Sequence, residues 1–93
     1  MNILRKNMDK LRSEFNIEKI GIFGSFAKGL NTDSSDVDIY AVFNKPIGLR
    51  FVDFSETIEK LLNRKADILT PAGVSAIRNK KIASNIRGSI EYV

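Results

Sequence analysis

Leu4, Met8, Leu11 and Phe15 recur at spacings of four, three and four, which places them on one face of a helix. Lysines, arginines and acids fill the other face, and Asn16 ends the run. Residues 17–24, Ile-Glu-Lys-Ile-Gly-Ile-Phe-Gly, are rich in β-branched and aromatic side chains and read as a strand. Gly24-Ser25 breaks it, residues 26–28 predict a helical turn, and residues 30–35 are polar and loop-like. Residues 36–43 alternate: Val37, Ile39, Ala41 and Phe43 form one face of a second strand, Asp36, Asp38, Tyr40 and Val42 the other. Asn44-Lys45-Pro46 closes it. Phe51, Phe54, Ile58, Leu61 and Leu62 then predict a second amphipathic helix ending near Asn63. Ala66-Asp67-Ile68-Leu69 is a third, short strand, and Thr70-Pro71 starts a helix with proline at its first position. Val74 and Ile77, then Ile82 and Ile86, predict two short helical pieces separated near Asn79, and residues 88–93 a final strand. Strands alternating with helices, without repeats or linkers, predict an α/β (α+β) fold over residues 1–93: a small mixed sheet flanked by helices.

Composition narrows the chemistry. The 93 residues include no cysteine, histidine or tryptophan. A Ser-His-Asp triad, an imidazole proton shuttle, a thiolate zinc site and a disulfide framework are all excluded. Chemistry must therefore fall to carboxylates, hydroxyls, lysines or a hard metal ion. With 43% hydrophobic and 28% charged residues, the chain reads as an ordinary globular domain and not a disordered tail. No apolar run approaches the roughly 20 residues that span a bilayer. The first six residues carry charge without a following apolar segment, so no signal peptide is read and a cytoplasmic location is expected. A net charge of +4 suits nucleotide phosphates, RNA or an acidic partner, and equally a solvated surface.

The informative segment is Gly24-Ser25-Phe26-Ala27-Lys28-Gly29 followed, after a polar loop, by Ser35-Asp36-Val37-Asp38-Ile39. Aspartate is depleted in strands because it solvates poorly on a half-buried pleated surface. Here two stand at i and i+2, so both carboxylates leave one face near a strand's start. Two carboxylates about 4 Å apart repel by ~1 kcal/mol in water and several-fold more at a protein-like dielectric. An oxygen-only donor set with that repulsion points to Mg²⁺ or Mn²⁺. Asp67 supplies a third carboxylate. If its strand neighbours that of Asp36 and Asp38, the three acids suit two metal ions about 3.5–4 Å apart, the clamp of in-line phosphoryl or nucleotidyl transfer. Gly24 lets a backbone approach a phosphate closely, the Ser25 hydroxyl and following N–H groups can donate to it, and Lys28, better placed than Lys45, adds positive charge. Blander readings stand beside these. Asp33 and Ser35 are turn and cap residues, and Arg78, Lys80, Lys81 and Arg87 form a basic cluster that partner contact or plain solvation explains better than nucleic-acid or phosphate contact does. Gly24 and Gly29 have P-loop spacing, but Leu30-Asn31 stand where its Lys-Ser/Thr belongs.

Gly24-Ser25, ten residues, then Asp36-x-Asp38 resembles the signature of the DNA polymerase β nucleotidyltransferase superfamily. The fuller string resembles the minimal nucleotidyltransferases, antitoxin halves of HEPN/MNT toxin–antitoxin pairs. The resemblance spans nearly the whole chain and includes Asp67 as the third acid. It implies that Gly24 and Ser25 hold the terminal phosphates of ATP and that Asp36 and Asp38 bind two Mg²⁺ ions. It further implies that Asp67 binds the catalytic ion and helps deprotonate the acceptor hydroxyl. Lys28 departs from the family's usual arginine, keeping the charge and losing the bidentate fork.

The first reading is thus an Mg²⁺-dependent nucleotidyltransferase that moves AMP from ATP to a tyrosine of a HEPN-type toxin and so neutralises it. Because 93 residues leave no room for a domain that grips an acceptor, the acceptor is expected on another molecule. A second reading is a non-catalytic antitoxin that masks its toxin by binding. A relic, however, has no reason to retain three mutually repelling carboxylates. A third is a nucleotidyltransferase for RNA or a small molecule, favoured only by the basic cluster at residues 78–87. A thin core with spare apolar helix surface further suggests an oligomer or a heteromeric complex.

Overall fold

A computed structural model describes residues 2–24 and 36–93. Along the chain run α1 (Asn2–Lys6), α2 (Met8–Phe15), β1 (Ile17–Phe23), β2 (Val37–Phe43), α3 (Arg50–Leu62), β3 (Ala66–Leu69), α4 (Pro71–Ser75), α5 (Lys80–Ser89) and β4 (Glu91–Tyr92). The four strands form one mixed sheet in the order β3-β2-β1-β4. β1 pairs antiparallel with both β2 and β4, whereas β2 and β3 run parallel. The expected mixed α/β sheet flanked by helices is what the chain forms. No helix among the described residues is long and apolar enough to cross a membrane.

Helix ends follow local chemistry. Asn16 and Asn63 adopt left-handed backbone at φ 56° and 54°, and their N–H groups donate to the Arg12 and Glu59 carbonyls, closing α2 and α3. Thr70 caps α4 by accepting from the Gly73 N–H at 3.2 Å, with Pro71 just behind it. The Asn79 side chain accepts from the Lys81 and Ile82 N–H groups and starts α5. Two expectations need correction. The opening helix is broken at Asn7, whose side chain donates to the Ile3 carbonyl at 2.7 Å, although its four apolar residues stay buried on one face. The final strand spans only residues 91–92, because residues 88 and 89 complete the last turn of α5.

The sheet separates two apolar layers. On one side Leu4, Met8, Leu11 and Phe15 pack with Ile20 and Ile22 of β1, with Val37, Ile39 and Ala41 of β2, and with Phe54 and Ile58 of α3. On the other side Phe23 and Tyr40 meet Val74 of α4 and Ala83 of α5, flanked by Leu69, Ile77, Ile86 and Ile90. A register shift between Ile17 and Lys19 lets Ile17 share its face with Ile20 and Ile22 despite the odd spacing. Gly21 is required by close packing: a Cβ there would overlap the Ile90 side chain. Phe54 is fully buried, with ring centroids 5.4 Å from Phe15 and 5.1 Å from Phe43, both edge-on. Phe54→Ala should cost about 3–5 kcal/mol, a large share of the 5–15 kcal/mol typical of a domain's stability. A urea melt should show that loss, whereas Val52→Ala, 58% exposed on the same helix, should stay within about 0.5 kcal/mol of wild type.

Candidate active site

Asp38 is the register partner of Asp67 across the parallel β2–β3 pair and of Phe23 across the antiparallel β1–β2 pair. Paired residues project from one face, so Phe23, Asp38 and Asp67 form a row across three strands. The next row inward is Gly21, Tyr40 and Leu69, with Tyr92 joining from β4. Asp36 immediately precedes β2, and its charge acts on the Asp38 carboxyl. The neighbouring strand expected for Asp67 is therefore the one the fold supplies. Asp36 and Asp67 are exposed and Asp38 is half-buried. Two hydrogen bonds pin β3 in this register: the Ala66 N–H donates to Glu59 Oε2 at 3.0 Å, and the Val37 N–H donates to the Lys65 carbonyl at 3.0 Å. Glu59 thus holds a strand seven residues downstream. Helical periodicity carries no signal for that contact.

Gly24, at the end of β1, meets the same carboxylate. Its φ of +72° favours glycine, and a Cβ there would overlap Asp38 Oδ2. Two independent constraints therefore ask for glycine at this position. Ser25 and Lys28 lie outside the described residues, as do the turn expected at 26–28 and the loop at 30–35. Lys45 follows the opposite end of β2, roughly 20 Å of extended strand from Asp38, and is no part of this site. Arg78, Lys80, Lys81 and Arg87 are exposed around the start and end of α5, and Arg87 donates to Ser75 Oγ at 3.3 Å. A cavity of about 350 Å³ bounded by Glu59, Lys60, Arg64 and Lys65 lies by the α3–β3 connection and contains none of the three aspartates.

Electrostatics mark Asp38 as the strained member. Burial pushes its carboxyl above the usual carboxylate range, and the charges of Asp67 and then Asp36 push it further in the same direction. A cation held at this edge relieves all three effects. Among the described residues, no three acidic side chains are gathered closely enough to form a metal cluster by themselves. Mg²⁺ does not need such a cluster, because it dehydrates reluctantly and is usually held by one or two carboxylates together with substrate phosphates. The donor set of hard oxygens fits the same ion.

The family model for the nucleotidyltransferase domain matches residues 3–92. "Putative protein adenylyltransferase MJ1379" of Methanocaldococcus jannaschii is 33% identical over 94 residues, covering 98% of this chain and 91% of that protein. Protein adenylyltransferase MntA of Thermococcus cleftensis is 31% identical over 93 residues, covering 99% and 90%. A crystal structure described as a toxin–antitoxin with AMP-PNP superposes with a TM-score of 0.71 at 16% identity, covering 99% of this chain and 72% of that one, a likeness of fold. With a family match over nearly its full length and the acid row at the end of its parallel strand pair, this chain belongs to the nucleotidyltransferase domain family.

Proposed function

We propose that this nucleotidyltransferase moves AMP from ATP to a tyrosine hydroxyl of a partner toxin of the HEPN type, and that it acts by this chemistry as an antitoxin. The observation that carries the reading is the Asp38–Asp67 register pair, with the Asp36 charge acting on Asp38 and Gly24 set against it. Relatives named protein adenylyltransferases, and a fold shared with a toxin–antitoxin containing AMP-PNP, support the acceptor class and the nucleotide.

In this reading Asp36, Asp38 and Asp67 hold two Mg²⁺ ions, and Gly24 with Ser25 receives the terminal phosphates. Lys28 adds positive charge beside them. The ions would neutralise charge building on the phosphates and favour the ionised acceptor oxygen. The acceptor oxygen forms a bond to the α-phosphorus as the bond to the pyrophosphate oxygen breaks, in line and on the opposite side. A carboxylate oxygen of Asp67 takes the hydroxyl proton. Asp38, set against Gly24, would hold an ion facing the reacting phosphate, since a carboxylate and a phosphate repel each other directly. Exposure of Asp36 and Asp67 leaves this edge accessible to a macromolecular acceptor.

Incubation with ATP labelled at the α-phosphate, Mg²⁺ and the product of the adjacent gene should place label on that protein. Asp38→Ala and Asp67→Ala should each lower the rate by more than about 100-fold, beyond what loss of an outer-shell partner costs. Protection of the partner without label, untouched by Asp36→Ala, would instead establish masking by binding. Label on RNA or a small molecule alone would move the acceptor to another class.

The metal assignment has its own test. Because the folded state binds the Asp38 proton more tightly than the unfolded chain does, ionising Asp38 disfavours folding as pH rises above the unfolded value near 3.8. In chelator at pH 7, Asp38→Asn should therefore melt above wild type. That advantage should fade as pH falls below 3.8. Adding Mg²⁺ and ATP should raise the melting temperature of wild type and leave that of Asp38→Asn nearly unmoved.

A further inference from the structure

Gly24 has a second neighbour. Beside it a cavity of about 300 Å³ opens between the end of β1 and α5, lined by Phe23, Gly24, Ile82, Asn85, Ile86 and Ser89. The helical members stand at i, i+3, i+4 and i+7, so α5 presents one continuous stripe to this space. The volume is at the lower end of the roughly 300–1,000 Å³ of small-ligand sites. Its walls combine apolar surface from Phe23, Ile82 and Ile86 with the polar groups of Asn85 and Ser89. Ile82 is 50% exposed although its neighbours Ala83 and Ile86 turn toward the core, so a large apolar side chain faces solvent at the cavity it shares with Gly24. The Asn85 side chain makes no hydrogen bond to another described residue. The Ser89 hydroxyl donates to the Ile86 carbonyl at 3.1 Å, which leaves its oxygen free to accept.

We infer that this cavity takes the nucleobase of the substrate and that Asn85 selects adenine. The inference rests on the nucleotidyltransfer reading above and adds to it the residues that choose the nucleotide. Position supports it, because Gly24 forms both the backbone wall against the Asp38 carboxylate and the mouth of this cavity. The cavity therefore borders the edge that carries Asp38, within reach of the base of a nucleotide bound there. Chemistry selects among bases. A carboxamide offers one donor and one acceptor side by side, which matches adenine's ring nitrogen and N6 amino group. Guanine presents two acceptors, O6 and N7, on the corresponding edge, and the carboxamide oxygen would oppose one of them. Ile82 and Ile86 cover the flat faces of either purine without distinguishing them, and Ser89 accepts from an exocyclic amine.

Equilibrium binding to the full chain in Mg²⁺ separates these roles, with ATP, GTP and inorganic tripolyphosphate as probes. Wild type should bind ATP more tightly than either alternative. Asn85→Leu should lower the ATP-over-GTP preference by about fivefold or more, the smaller end of what a bidentate base contact contributes. Ile82→Ser should weaken ATP and GTP alike several-fold, and both variants should leave tripolyphosphate binding unchanged. Both residues are exposed, and circular dichroism with the melting temperature verifies that each variant folds. An unchanged ATP-over-GTP preference in Asn85→Leu, or equal loss of tripolyphosphate binding, overturns the base-site assignment alone. A wild-type protein that binds none of the three probes overturns the nucleotidyltransfer reading and this inference with it.

Discussion

The in-register parallel pairing of β2 with β3 is the constraint on which the rest of the molecule depends. Side chains alternate faces along a strand, so a slip of one residue would send Asp67 to the α3 side of the sheet and Ile68 toward the acids. The apolar pattern forbids that slip, since Ala66 and Ile68 pack with the layer containing Val37, Ile39, Phe54 and Ile58. The Ala66 N–H bound to Glu59 and the Val37 N–H bound to the Lys65 carbonyl hold the same register at the strand's first residues. Burial on one face thus determines the spacing of charges on the other.

That division explains how the domain tolerates its acids. Asp38 stands one row beyond Tyr40 and Leu69, where the apolar layer under α4 and α5 gives way to solvent. Deeper placement would raise the desolvation cost steeply, and an outermost position would forfeit the restricted geometry that Gly24 imposes. The half-buried position keeps Asp38 strained without displacing it. Asp36 and Asp67, both exposed, add repulsion that solvent screens in part.

Much of this was legible in the order of residues. The i, i+2 aspartates on a strand with an apolar opposite face predicted their shared side, and the short Ala-Asp-Ile-Leu run predicted a third strand that the sheet places beside the second. Asn16, Asn63, Thr70 and Asn79 mark helix ends because their chemistry is local. What escaped is what depends on distant partners. The register shift after Ile17 answers to pairing with β2, and β4 is short because α5 runs on through residue 89. Glu59 reads as one more exposed helical acid until β3 is folded against it. Lys45 looked available in sequence and is removed by the direction of its strand.

The α5 stripe shows what hydrophobic pattern alone leaves undecided. Ile82 and Ile86 fit a core-facing period, and nothing in their spacing separates a residue that packs from one that waits for a ligand. The fold separates them. Ala83 and Ile86 meet Phe23 and Tyr40, while Ile82 remains half in solvent at the edge shared with Gly24. An aliphatic side chain left exposed costs little when isolated, but beside a cavity it offers a face that a flat heterocycle can cover. Asn85, three residues on, adds direction to that face, because a carboxamide reads the order of donor and acceptor where aliphatic contact reads only shape. Under the base-site proposal, the same helix closes one apolar layer and meets a nucleotide, with the acid row supplying charge and α5 supplying selectivity.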